Sequence, residues 1–172
     1  ASGLNLSVGP GDVLLLTGPN GSGKTSILRA LAGLLDISAG DVECTAAFHW
    51  LSAQGLSASA QNAGDYLKTQ TSLQNEDFAL RHDAFEVGEK LDTSLSRLST
   101  GWRQRVKLTR LTLMHRPLWL LDEPSDGLDE TGLKTLTYLL EQHRKNGGAA
   151  IIATHQPDIW PKDAKRLALG AT

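Results

Sequence analysis

Gly18-Pro19-Asn20-Gly21-Ser22-Gly23-Lys24-Thr25 fits the pattern G-x-x-x-x-G-K-[ST] in full. Glycines let a backbone curl so that successive N–H groups point inward, which makes a nest for an anion. Working outward, Val13 to Thr17 (VLLLT) is a short apolar run with Gly9-Pro10-Gly11 before it, and reads as a buried strand. On the other side Ile27, Leu28, Leu31, Leu34 and Leu35 recur at helical spacing and predict a helix from Lys24 to Leu35. Such a helix adds its positive N-terminal end to the nest. Lys24 supplies a mobile full charge for β- and γ-phosphates, and the Thr25 hydroxyl is a hard oxygen ligand suited to Mg²⁺. A glycine turn that merely happens to carry Lys-Thr arises in about one chain in a few hundred. The flanking strand and helix make that reading weaker still. Strand, glycine loop and helix together open an α/β fold.

Further along, Val42 to Leu51 (VECTAAFHWL) predicts one or two strands, and Ser52 to Ala63 a polar loop. A weak helical pattern runs from Asn62 to about Asp92, with Gly88 as a break. Gly101 to His115 reads as a helix stopped before Pro117. Leu118 to Leu121 (LWLL) is a buried strand that ends in Asp122-Glu123-Pro124. Leu133, Leu136, Leu139, Leu140 and His143 predict an amphipathic helix closed by Asn146-Gly147-Gly148. Ala149 to Ala153 (AAIIA) is a third buried strand, with Thr154-His155 at its end, and Arg166 to Leu169 an edge strand. Ligands of open α/β sheets sit outside the carboxyl ends of the strands, so the chemistry should collect there.

The acids after Leu121 should do different jobs, because strand alternation points neighbours in different directions. Asp122 can hold Mg²⁺ through water; Glu123 can orient or deprotonate an attacking water. Two solvated acids at a strand end are common by themselves, but the phosphate loop makes that the minority reading.

Composition limits the alternatives. The 172 residues suit one domain, and 40% hydrophobic with 21% charged is ordinary for a globular chain, which excludes disorder, collagen and coiled-coil arrays. The formal net charge of −2 leaves no global basic field, so no nucleic-acid partner is expected. Cys44 stands alone, so no intrachain disulfide forms. No basic-then-apolar leader begins at Ala1, and no apolar run approaches a membrane span.

Four further features narrow the reading. Leu98-Ser99-Thr100-Gly101-Trp102 lies before a helix bearing Arg103, Arg105, Lys107 and Arg110. Gln54 follows Trp50-Leu51, Asp126-Gly127-Leu128-Asp129 follows the acids, and His155 follows the third strand. With the phosphate loop and the acidic strand, their order resembles that of the ATP-binding cassette (ABC) ATPases. They stand for the signature, the glutamine loop, the D-loop and the switch histidine. Singly each is weak; in this order they cover most of the chain. Gly3-Leu4-Asn5-Leu6, PLWLLDEP from Pro117 to Pro124 and Thr154-His155-Gln156-Pro157 resemble one branch, the ATP-binding subunits of the cytochrome c maturation haem exporter.

The resemblance implies an ABC-type nucleotide-binding domain: a mainly parallel RecA-like sheet flanked by helices, with an inserted helical subdomain and a truncated antiparallel β subdomain. The expected division of this single domain is 1–54 with 116–172 as RecA-like core and 55–115 as helical subdomain. ATP and Mg²⁺ are implied, with Gly18 through Ser26 and Gln54 binding ATP, and Thr25, Gln54 and Asp122 serving the metal. Glu123 is the implied general base, Lys24 and His155 the implied phosphate contacts, and His155 also positions Glu123. Ser99 and Gly101 would act on the nucleotide of a second, head-to-tail copy, and Asp129 would connect the two sites. A transmembrane permease is the other implied partner, docking near Gln54 with Trp50, Tyr66, Phe78 and Phe85 as surface candidates; packing of the small core is the commoner use of such aromatics. This places the protein peripherally on the cytoplasmic face of an inner membrane, or on the matrix face of an organelle membrane.

The chain departs from the family at Thr100, where Gly is usual, and Trp102, where Gln is usual. No aromatic precedes Gly18 to stack on adenine, and Gly40 to Gln54 is short for the antiparallel subdomain. Other readings are another importer or exporter, a non-transport ABC ATPase on nucleic acid or a soluble assembly, and a module that binds ATP but barely turns it over.

Overall fold

Val13–Thr17 forms β1, and its first four residues are buried, as an apolar run covered on both faces requires. The structure, a computed structural model, describes residues 4–71 and 83–170. After β1 come α1 (Lys24–Leu31), β2 (Phe48–Leu51), α2 (Ala63–Thr71), α3 (Thr100–Leu113), β3 (Leu118–Asp122), α4 (Glu130–Lys145), β4 (Ala149–Ala153) and β5 (Lys165–Ala168). The chain divides into two compact units: Ala1–Ala53 with Arg116–Pro124 and Thr137–Thr172, and Gln54–His115 with Ser125–Leu136.

The first unit holds a five-stranded sheet in the order β2-β3-β4-β1-β5, with every pairing parallel. Register does the positioning. Ala153 of β4 pairs with Leu16 of β1 on one side and with Asp122 of β3 on the other. The residues that follow those three therefore emerge at one edge, within about 10 Å of each other at two strand spacings. One face gathers Leu14, Leu16, Leu120, Ile151 and Ala153 around Leu28 of α1. Asp122 keeps the alternation of Leu118 and Leu120, so it ends β3 on the α1 face. Among these Leu28 is 0% exposed, which makes it the anchor of α1. On the other face Trp119 stacks on His143 of α4, ring centroids 4.0 Å apart.

The second unit packs α2 against α3. Its centre is Phe85, Leu67, Val106 and Leu108, all nearly or fully buried. Phe85 thus packs the core of this unit, and Tyr66 is half-buried. Trp50, in the first unit, packs partly buried against the sheet core. Phe78 lies outside the described residues.

Several bounds differ from expectation. α1 ends at Leu31, not Leu35, because Gly33 turns left-handed at φ 68. Gly33 N–H then donates to Ala30 O at 3.0 Å and Leu34 N–H to Arg29 O at 2.8 Å, the paired bonds of a Schellman stop. Leu34 and Leu35 are left exposed. Only Phe48–Leu51 of the Val42 to Leu51 run is strand. The helix expected from Asn62 to Asp92 is α2 alone among the described residues; Gly88–Lys90 is a single 3₁₀ turn. The expected antiparallel subdomain is not shown: among the described residues the one antiparallel link is an isolated bridge, Asn62 with Ser94.

Candidate functional site

The loop after β1 is shaped by glycines with left-handed backbones, Gly18 at φ 140, Gly21 at 82 and Gly23 at 95. Gly18 also sits against the backbone carbonyl of Leu169, where a Cβ would collide. Gly23 caps α1, whose first residue is Lys24. Pro19, Asn20 and Gly21 form the exposed outer bend, and Ser22 N–H donates to Pro19 O at 3.2 Å to close it. Lys24 is buried, and its Nζ donates to the carbonyls of Gly18 at 2.8 Å and Pro19 at 3.1 Å. That ammonium lies under the bend, in reach of an anion that would replace those carbonyls. The Ser22 hydroxyl is buried without a hydrogen-bond partner. Thr25 and Ser26 are exposed in the first turn.

Thr25 Oγ1 donates to Asp122 Oδ2 at 2.9 Å. Asp122 is 1% exposed, and its Oδ1 has no hydrogen-bond partner. A buried carboxylate oxygen without a donor is costly. A hard cation with its water shell would satisfy it, since Mg²⁺ keeps several waters and takes one or two carboxylates plus phosphate oxygens. The donor set and the orphaned oxygen fit that ion.

Glu123 leaves the strand pattern. Its φ is 46, one of two non-glycine left-handed residues among those described. Its N–H still donates to Ala153 O at 2.9 Å, so the turn happens at the ladder's end. The carboxylate swings to His155 instead of following Asp122: Oε2 lies 2.9 Å from His155 Nδ1 and accepts from the His155 N–H at 3.2 Å. The two acids thus part company, one toward Thr25 and one toward the end of β4.

The second unit carries the remaining expected residues. Gln54 is exposed, and its backbone carbonyl accepts from Lys107 Nζ at 3.2 Å. Ser99 caps α3, its hydroxyl accepting from Trp102 N–H at 3.3 Å. A Cβ on Gly101 would approach Gly127 O to 2.9 Å. Asp129 immediately precedes α4, with Oδ1 accepting from Gly132 N–H at 2.8 Å. Both its oxygens also accept from Arg105, at 2.7 and 2.9 Å. The Gly132 N–H, then the Arg105 bond, hold this carboxyl below the usual range. Arg105 is buried, reaches Phe85 O and Glu86 as well, and lies 5.2 Å from the Trp102 ring centroid. This grip on Asp129 leaves no mark in sequence patterns, because it joins residues 24 apart in the chain.

The ABC transporter family matches residues 1–126. A "Cytochrome c biogenesis ATP-binding export protein CcmA" of Maricaulis maris is 40% identical, over 97% of this chain and 83% of that protein. "ABC transporter I family member 1" of Arabidopsis thaliana is 36% identical, over 96% and 79% respectively. A solved ATP-binding subunit of an ABC transporter superposes with TM-score 0.78 at 20% identity, over 87% of this chain and 70% of that one, a likeness of fold.

Proposed function

Since the chain belongs to the ABC transporter family, we propose that it is the ATP-hydrolysing subunit of a membrane transporter that serves haem delivery in cytochrome c biogenesis. Its similarity to cytochrome c biogenesis ATP-binding export proteins supports that branch. The observation that carries the hydrolytic reading is the Thr25–Asp122 hydrogen bond with its orphaned carboxylate oxygen beside the phosphate loop. No helix among the described residues is long and apolar enough to cross a membrane.

In this reading the loop from Gly18 to Ser26 cradles the phosphates of ATP, and Lys24 exchanges two carbonyls for them. Thr25, Asp122 and Gln54 are the residues that would hold Mg²⁺, which would supply charge neutralisation for the phosphates. Glu123 accepts the proton of the attacking water, and His155 keeps that carboxylate aimed while meeting the terminal phosphate. Little else is asked of the protein, because phosphoryl transfer depends on positioning and charge stabilisation. Ser99 and Gly101 serve the ATP of a second copy in a head-to-tail dimer, with the start of α3 adding its positive end. Asp129, in the D-loop, connects the two nucleotide sites across that dimer. RecA-like core and helical subdomain are our names for the sheet-bearing and α2–α3 parts. The protein then lies peripherally on a membrane's inner face, docked to a permease.

Glu123→Gln tests this. It should keep calorimetric binding of Mg-ATP, lose turnover by about 10²–10⁴-fold as a general base does, and accumulate as an ATP-bound dimer in size-exclusion chromatography. Unchanged turnover removes Glu123 from the base role. Recovery of a multi-span membrane protein with this variant from solubilised membranes supports the transporter reading; recovery with ribosomes or nucleic acid favours the non-transport alternative.

A further inference from the structure

We infer that Gln156 is a positioning residue that holds His155 in its Nδ1–H tautomer against Glu123. The inference deepens the reading of His155 given above and rests on it. It begins with polarity. The Glu123 carboxylate only accepts, so His155 Nδ1, 2.9 Å from Oε2, carries a hydrogen. In the neutral ring Nε2 then bears a lone pair. Gln156 Nε2 stands 3.1 Å from that nitrogen, and an amide NH₂ is the end of glutamine that can meet it. Carboxylate, ring and amide thus form one chain of acceptor, donor, acceptor and donor.

The amide is not placed by accident of an exposed side chain. The Gln156 N–H donates to Thr154 Oγ1 at 3.0 Å, and Thr154 is 0% exposed. Thr154 N–H in turn donates to Leu16 O of β1 at 3.0 Å. Pro157 opens the next 3₁₀ turn and fixes the chain on the far side. The base of the Gln156 side chain is therefore tied to the strand that feeds the phosphate loop. By contrast the His155 side chain is 48% exposed, too little packing to choose a rotamer or tautomer by itself. Hydrogen bonds must do so, as they do for metal-bound imidazoles whose second nitrogen fixes the first.

Function follows from the donor count. A phosphate oxygen accepts only, so it cannot meet the Nε2 lone pair. Contact requires a proton on Nε2, and that one N–H then goes to the phosphate. The glutamine therefore steadies the ring before the phosphate is engaged, without releasing Nδ1 from Glu123. Leucine cannot meet the lone pair, and glutamate meets the ring only where Nε2 carries a hydrogen.

The test is ¹⁵N spectroscopy of the His155 ring in the full chain, at a pH where the ring is neutral, beside steady-state ATPase. The wild-type ring should show Nδ1 as N–H and Nε2 as a hydrogen-bonded lone-pair nitrogen. In Gln156→Leu the Nε2 signal should move toward that of an unbonded nitrogen. Its kcat should fall several-fold, the scale of one neutral hydrogen bond, with KM for ATP within about twofold of wild type. Gln156→Glu should convert Nε2 to an N–H signal under the same conditions. A wild-type ring with its hydrogen on Nε2, or Gln156→Leu signals that superimpose on wild type, overturns the inference. His155→Ala separates the two layers: if it keeps full turnover, the phosphate role of His155 fails, and the ring signals alone decide the role of Gln156.

Discussion

Two residues at the carboxyl edge hold backbones that side chains normally avoid. Glu123 sits at φ 46, a conformation that costs a non-glycine residue roughly 1–3 kcal/mol and persists only where surroundings enforce it. Here they do: its N–H is bound to Ala153 O at 2.9 Å, and its carboxylate is held by the His155 N–H and Nδ1. The strained turn is what lets neighbouring acids leave one strand for different partners. Gly18 is the counterpart on β1. Its φ of 140 is combined with contact to the Leu169 carbonyl, which is itself held by Leu169 N–H donating to Thr17 O at 2.8 Å. Backbone cannot swing aside as a side chain can. Gly18→Ala should therefore destabilise the fold by roughly 1–3 kcal/mol and weaken Mg-ATP binding, read by urea denaturation and by calorimetry. Wild-type affinity in a normally folded variant would mean the loop does not need the curl that glycine gives it.

In the second unit, α3 holds a buried charge. Its buried Arg105 spans to Phe85 O, Glu86 and both oxygens of Asp129, while Trp102 covers it from the preceding turn. Bidentate pairing gives direction as well as attraction. The helix start bearing Ser99 and Gly101 is thereby fixed to the cap of α4. Arg105→Leu keeps most of the volume but leaves the Phe85 carbonyl without that donor. We expect a loss of about 1.5–3 kcal/mol on thermal or urea unfolding, the range for hydrogen bonds to charged groups; a change within error would make Arg105 a bystander. Sequence reading reached this helix within a residue or two because Pro117 and the apolar spacing bound it. β1 and β4 were legible residue for residue, since both are short apolar runs between glycines or polar turns. The end of α1 was not, because Leu34 and Leu35 continue the helical spacing past a glycine whose left-handed turn only the fold reveals. The site followed the same logic. The glycine loop's shape is local and could be read; the Glu123–His155 pairing was implied only by the family resemblance, and the Arg105–Asp129 pairing joins distant residues and left no periodic trace.

The sheet-bearing unit divides its labour between its edges. The glycine loop, the acids and His155 follow the carboxyl ends of the strands; ion pairs gather where the strands begin. Asp12, just before β1, meets Lys165 at 2.8 Å, and Arg144, near the end of α4, meets Asp163 at 2.6 Å and Gly11 O at 3.1 Å. These links tie the start of the described chain to its last strand. The bonds with Lys165 and with the Gly9 N–H hold the Asp12 carboxyl below its ordinary 3.8, and the bond with Arg144 does the same for Asp163. The sign is fixed by which state takes protons first. With folded values depressed, the unfolded chain protonates earlier as pH falls. The stabilisation is therefore complete above about pH 5, begins to fade near 3.8, and disappears once the pH drops through the lower folded values. Exposed pairs contribute modestly and are screened by salt. Asp163→Asn should accordingly be less stable than wild type at neutral pH, with the gap closing as the medium is acidified and shrinking in high salt. Urea midpoints along a pH series would show it. A gap that stays constant into strong acid would mean that Asp163 acts through its shape or its backbone, and that the charge pairing at the amino edge contributes nothing to holding the sheet together.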